Sequence, residues 1–190
     1  NELSGGELDY DQDGNWAARG EVADTLLKRL MDHFFIKKVA PKTTGREDFG
    51  QQMVKKIIKA KKELALDKYD LVATVTAYTA YSIVDAYHRF IDGKIDQIIV
   101  GGGGSYNPVL LDMLRDYARE ILSSGVQIIT QEDLGYSSEA KEAVAFAVLG
   151  YQALRGKNNN LPRVTGASRD VIMGEIVPGS DFYRYFDWQA

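Results

Sequence analysis

The chain has 190 residues and no cysteine, enough for one domain of about 150 residues with a small extension. Apolar residues make up 45% and charged residues 26%, which excludes intrinsic disorder, a collagen-like repeat and a disulfide scaffold. The net charge is −4 with the basic side chains scattered, so nothing indicates a reader of nucleic-acid backbone. No apolar run approaches the ~20 residues that span a bilayer.

The expected setting is therefore a soluble, reducing compartment, with no membrane partner. Asn1 to Gly14, rich in Gly and Asp, reads as a loop. Asp13 or Asn15 is placed to cap a helix running to about Phe34, with Leu26, Leu27, Leu30, Met31 and Phe34 as its buried stripe. Pro41 to Gly45 breaks that pattern. A second helix is expected from Arg46 to Leu64, with Phe49, Met53, Ile57 and Ile58 inward and Lys55, Lys56, Lys59, Lys61 and Lys62 solvated. In Asp70 to Phe90 the run Leu71 to Thr76 has the β-branched content of a strand. The spacing of Ala77, Ala80, Ile83, Val84 and Tyr87 favours one long, mostly buried helix instead.

After the turn signal Asp92-Gly93, Ile95 to Val100 reads as a buried strand, and the four glycines Gly101 to Gly104 follow it directly. Val109, Leu110, Met113, Leu114 and Tyr117 then give helical periodicity to about Leu122. A second strand is expected at Val126 to Ile129, a helix from Ser138 to Leu154, and a last strand around Val171 to Val177. This alternation predicts an α/β architecture with parallel pairing and right-handed crossovers. No repeat or dividing linker is visible.

The segment from Val100 to Leu111 carries the most chemistry. Asn107 is a good N-cap, and Pro108 suits the first helical position. Glycine costs backbone entropy, and a strand-to-helix corner needs only one. Four in a row favour close approach of a ribose or phosphate to bare main chain, beside the positive end of a helix. The run misses the third glycine of the dinucleotide fingerprint and has no Gly-Lys-Ser/Thr, so the Rossmann and P-loop classes are excluded. His33 and His88 are the only histidines, and they read as packing or surface residues, not zinc ligands. Ser82, Ser105 and Ser168 have no evident histidine partner, so serine nucleophile chemistry has no support. Asp133 lies in the loop after the second strand, where open α/β sheets bind ligands. Glu142 lies in the first turn of the next helix, where an acid either complements the helix dipole or serves a ligand.

These residues, in order, are similar to the anhydro-N-acetylmuramic acid kinase family. The matching blocks are Tyr10 to Gly20, Pro41 to Glu47, Ala73 to Ala77, Val100 to Leu110, Glu132 to Gly135, Ala140 to Ala147, Asn160 to Pro162, Val164 to Ser168 and Gly174 to Gly179. The resemblance covers nearly the whole chain. It implies the C-terminal ribonuclease-H-like lobe of an actin/hexokinase-type ATPase fold, helix-rich with few strands. It also implies ATP and Mg²⁺, phosphorylation of O6 of 1,6-anhydro-N-acetylmuramic acid with hydrolytic opening of the anhydro ring, a cytoplasmic role in cell-wall sugar recycling, and a homodimer. Gly101, Gly102, Gly103, Gly104 and Asn107 then resemble the adenosine-binding motif, and Glu142 resembles a glutamate that hydrogen-bonds the sugar.

The matched blocks correspond to the C-terminal half of the family. Its N-terminal phosphate loop, and the Asp-Thr-Gly-Pro block whose aspartate is the general base, are not in this sequence. The resemblance thus implies a single lobe over residues 1–190, truncated on its N-terminal side, with no catalytic residue of its own and no turnover alone. Its helices between Arg46 and Phe90, and an exposed sheet edge, are the expected dimer contacts. Two alternatives stand beside this reading: a non-catalytic nucleotide-binding or regulatory module of the same fold, and a glycerol or hexose kinase, against which the Pro41 and Val164 blocks argue.

Overall fold

The computed structural model describes residues 1–177 and 179–181. The chain is a helix-rich α/β protein that forms two compact units, Asn1–Lys141 and Glu142–Ala190.

In the first unit the helices are α1 (Asp24–Met31), α2 (Phe34–Lys37), α3 (Arg46–Phe49), α4 (Gln51–Glu63), α5 (Lys68–Phe90) and α6 (Pro108–Ile121). The strands β1 (Gln97–Val100) and β2 (Gln127–Thr130) pair in parallel, with Ile98 opposite Ile128 and Val100 opposite Thr130. The expected parallel β–α–β pairing thus resolves into one short ladder, with α6 as its crossover. Ile98 and Ile128 point to one face and join Ala80, Val84, Leu111, Leu114 and Ala118 in a buried cluster between the sheet, α5 and α6. Tyr81 and Tyr117 meet edge to face at 5.1 Å across the two helices. Ile99, on the opposite face, is half exposed, so the sheet is covered on one side only.

Helix α5 confirms the helical reading of Asp70 to Phe90. Asp67 caps it by accepting from the amides of Tyr69 (2.7 Å) and Asp70 (2.8 Å). Thr74, Thr76 and Thr79 return their hydroxyl protons to the carbonyls four residues back, which lets β-branched residues sit in a helix without orphaned polar groups. A second cluster packs Leu71 and Tyr78 of α5 against Leu26, Leu30, Met53 and Ala60.

Three expectations need correction. The helix expected to run from Asp13 or Asn15 to Phe34 is broken into two 3₁₀ turns (Gln12–Gly14, Ala17–Arg19), α1 and α2. Neither Asp13 nor Asn15 caps it, and Phe34 is exposed. The causes are tertiary. Gly14 has φ +70°, and a Cβ there would sit 2.5 Å from Asn107 Oδ1. At Gly20 a Cβ would overlap the Tyr69–Asp70 backbone. Residues 20–23 instead lie along the start of α5, held by Glu21 N donating to Asp70 Oδ1 (2.8 Å) and Ala23 N donating to buried Thr74 Oγ1 (2.9 Å). The expected Arg46–Leu64 helix is divided at Gly50 into α3 and α4. Its apolar side chains Met53, Ile57 and Ile58 pack into the second cluster. Among the described residues between Arg46 and Phe90, Val54 is the large apolar side chain left exposed.

The second unit contains α7 (Lys141–Leu154) and α8 (Pro162–Thr165). The strand expected at Val171–Val177 is absent from the described residues. Asn159 and Asn160 occupy that edge with their side chains. Asn159 Nδ2 donates to the carbonyls of Leu149 and Met173 (both 3.0 Å), and Asn160 Oδ1 accepts from Val171 N (2.8 Å). Side-chain amides thus take the place of a partner strand.

Two substitutions test this account by urea unfolding. Gly20→Ala is expected to cost about 1–3 kcal/mol, the range for forced overpacking. Asp67→Ala is expected to cost about 1 kcal/mol through loss of the cap. Equal stability of the Gly20→Ala protein and the unsubstituted chain would contradict the packing of residues 20–23 on α5.

Candidate functional site

The parallel pairing of β1 and β2 brings their carboxyl ends level, and Gln131 N donates to Val100 O (2.9 Å) where the two following loops part. Ligands of parallel α/β sheets collect at this end. A cleft of about 700 Å³ opens there, bordered by Gly102, Gly103, Gly104, Tyr106 and Asn107 on one side, Tyr10 to Asp13 on another, and Ser138 and Glu139.

The four glycines have different reasons. Gly101 packs where a Cβ would collide with the Gln131 side chain, and it is not among the residues that border the cleft. Gly102 has φ +95°, a conformation that only glycine adopts without strain. A Cβ on Gly103 would meet nothing within 4 Å, and one on Gly104 would make an ordinary 3.4 Å contact with Leu110. Protein packing therefore does not require glycine at Gly103 or Gly104, and their bare faces leave room for a ligand.

Asn107 caps α6 as expected: its Oδ1 accepts from Leu110 N at 3.1 Å. The side-chain group it offers a ligand is thus the amide NH₂, a donor suited to ribose or phosphate oxygens. The positive end of α6 adds to this. Gly103–Tyr106 forms a 3₁₀ turn, with buried Ser105 donating to Gly102 O at 2.8 Å.

Glu142 stands exposed in the first turn of α7, in the second unit. Asp133 is engaged locally, since its Oδ2 accepts from Thr130 N (2.7 Å) and Thr130 Oγ1 (2.9 Å). Those bonds, the backbone one foremost, hold its carboxyl below the ordinary carboxylate range. His33 serves structure, its Nδ1 accepting from Phe35 N at 3.3 Å and its ring packing beside Phe34 and Phe49. Among the described residues no group of three or more His, Cys, Asp or Glu side chains could hold a metal ion.

Sequence reasoning missed two features at the cleft, one a wall and one a residue behind it. One is the Tyr10–Asp13 wall, about 90 residues before the glycine loop in sequence. It is fixed by Asp11, whose carboxylate accepts from the amides of Trp16 (2.8 Å) and Ala17 (3.0 Å). The other is Glu132, whose Oε1 accepts from Tyr106 Oη (3.0 Å) and Ser138 N (2.8 Å) while Oε2 accepts from Ser138 Oγ (3.0 Å). The Ser138 amide is the main reason that the Glu132 carboxyl lies below its usual range, and the bond to Glu132 raises the Tyr106 phenol.

Both depressed carboxylates stabilise the folded state while ionised, so their contribution is complete above the unfolded-state carboxylate pKa and is lost as pH falls through the folded values. Thermal unfolding across the acid range is expected to show the midpoint dropping there. The double variant Glu132→Gln/Asp133→Asn should flatten that drop, and an unchanged acid limb would contradict these assignments.

Comparison with known proteins bears on nearly the whole chain. The family model described as anhydro-N-acetylmuramic acid kinase matches residues 4–179. A protein of that name from Caldanaerobacter subterraneus subsp. tengcongensis is 46% identical over 176 residues, covering 92% of this chain and 43% of its own length. One from Bacillus cereus is 44% identical over 172 residues, covering 90% of this chain and 44% of its own. The chain thus spans less than half the length of the curated relatives it matches. On the extent and identity of this match, the chain belongs to the anhydro-N-acetylmuramic acid kinase family.

Proposed function

We propose that this chain supplies the nucleotide-binding lobe of a cytoplasmic carbohydrate kinase of cell-wall sugar recycling. The lobe belongs to the actin/hexokinase-type ATPase fold and is of the ribonuclease-H-like kind. In the reaction, ATP gives its γ-phosphoryl group to O6 of 1,6-anhydro-N-acetylmuramic acid and a water adds at C1 as the anhydro bridge opens. The products are ADP and N-acetylmuramic acid 6-phosphate. The names of the relatives support the reaction class. The observation that carries the site is the bare glycine turn at the carboxyl end of β1: Gly102 is held at positive φ and Gly103 has open space where a side chain would be.

In this reading the main chain of Gly102–Gly104 and the NH₂ of Asn107 contact the adenosine part of ATP, and Gly101 sets the loop's departure from the strand. Glu142 hydrogen-bonds the sugar. The described residues do not by themselves form a cradle for Mg²⁺. Phosphoryl transfer is largely positioning and charge neutralisation across a closed site. With neither the family's phosphate loop nor its aspartate block in these 190 residues, the chain alone is expected to bind nucleotide without turnover. No helix among the described residues is long and apolar enough to cross a membrane. The working form is a homodimer.

Calorimetric titration with a non-hydrolysable ATP analogue tests the site. Gly103→Ala is expected to leave the unfolding midpoint unchanged or slightly higher, because alanine fits the local backbone and restricts the unfolded chain. It should weaken nucleotide binding by about tenfold or more through collision with the ligand, comparable to the cost of overpacking. Undiminished affinity in Gly103→Ala would refute contact at this loop.

A further inference from the structure

We infer that Glu132 is a positioning residue for the cleft: its carboxylate latches the Tyr106 end of the glycine loop to Ser138 beyond β2, setting the spacing of two cleft walls before a ligand arrives. This rests on the nucleotide reading above. Glu132 does not border the cleft, whereas both of its partners do. Its bond to Tyr106 spans 26 residues of sequence and joins the loop after β1 to the loop after β2.

At their base these loops are tied by the Gln131–Val100 backbone bond. Toward their tips the ties are the Glu132 bonds to Tyr106 and Ser138. Ser138 is buried and its amide donates to Glu132, so the carboxylate also satisfies a donor that would otherwise be costly to bury. Asp133, the neighbouring carboxylate, turns back to Thr130 and takes no part in the link. With its hydroxyl tied down, Tyr106 presents a fixed aromatic wall half open to solvent. A nucleobase can stack on such a wall without paying to order it.

The test is a double-mutant cycle on the full chain, read with the fluorescent nucleotide mant-ATP and with amide hydrogen exchange. Glu132→Ala and Tyr106→Phe are each expected to weaken mant-ATP binding by about fivefold, the size of one net hydrogen bond. The double variant should be little weaker than either single one, because both remove the same link. Glu132→Gln, which keeps one acceptor oxygen, should recover part of the loss. Tyr106→Phe should also speed exchange of the Ser138 amide, which Tyr106 does not itself bond, while amides in the middle of α5 stay protected. Merely structural damage would not produce that pattern. Multiplicative losses, or Ser138 exchange unmoved by Tyr106→Phe, would overturn the latch. Absence of mant-ATP binding by the unsubstituted chain, with the exchange coupling intact, would overturn the nucleotide reading and leave the mechanical link standing.

Discussion

The cleft depends on the burial of Ile98 and Ile128 beneath α5 and α6. A ladder of two four-residue parallel strands is not stable in water on its own. It persists because one face is sealed by Leu111, Leu114 and Ala118 of α6 and by Ala80 and Val84 of α5. The in-register pairing of Val100 with Thr130 then releases both following loops from the same level. A one-residue slip of either strand would turn its own isoleucine, Ile98 or Ile128, toward solvent and move the glycine turn relative to Gln131 and Glu132.

Helix α5 is the second constraint, because it organises chain on both sides of itself. Its first turns hold residues 20–23 through Asp70 and Thr74. Tyr69 receives the Trp16 ring edge to face and the Arg19 guanidinium over its own face. That docking brings Gly14 against the cap of α6 and Tyr10–Asp13 to the cleft. The wall opposite the glycine loop is thus placed by a helix that contributes no residue to the cleft.

Elements whose periodicity is local were legible. The β1–α6–β2 unit, the cap at Asn107 and the helical character of α5 all follow from spacing and from side chains a few residues apart. The breaks at Gly14 and Gly20 were not, because each glycine is required by a partner distant in sequence: Asn107 for one, Tyr69 for the other. The strand expected at Val171–Val177 fails for a similar reason, since β-branched content says nothing about whether a neighbouring strand exists, and here two asparagine side chains fill the place. In the cleft the glycine loop and Asn107 could be read directly. The Tyr10–Gly20 block signalled importance through its family resemblance without revealing which surface it would join. Glu132 read as part of a family block, and only the fold shows that its carboxylate joins two loops.

The account reduces to the claim that the main chain of Gly102–Gly104 faces a nucleotide. Its most direct measurement is a crystal structure of the chain with a non-hydrolysable ATP analogue. The account predicts ribose or phosphate density against the amides of Gly102 to Gly104, with the NH₂ of Asn107 in hydrogen-bond reach. An analogue bound elsewhere, with the glycine turn filled by neighbouring side chains, would contradict it.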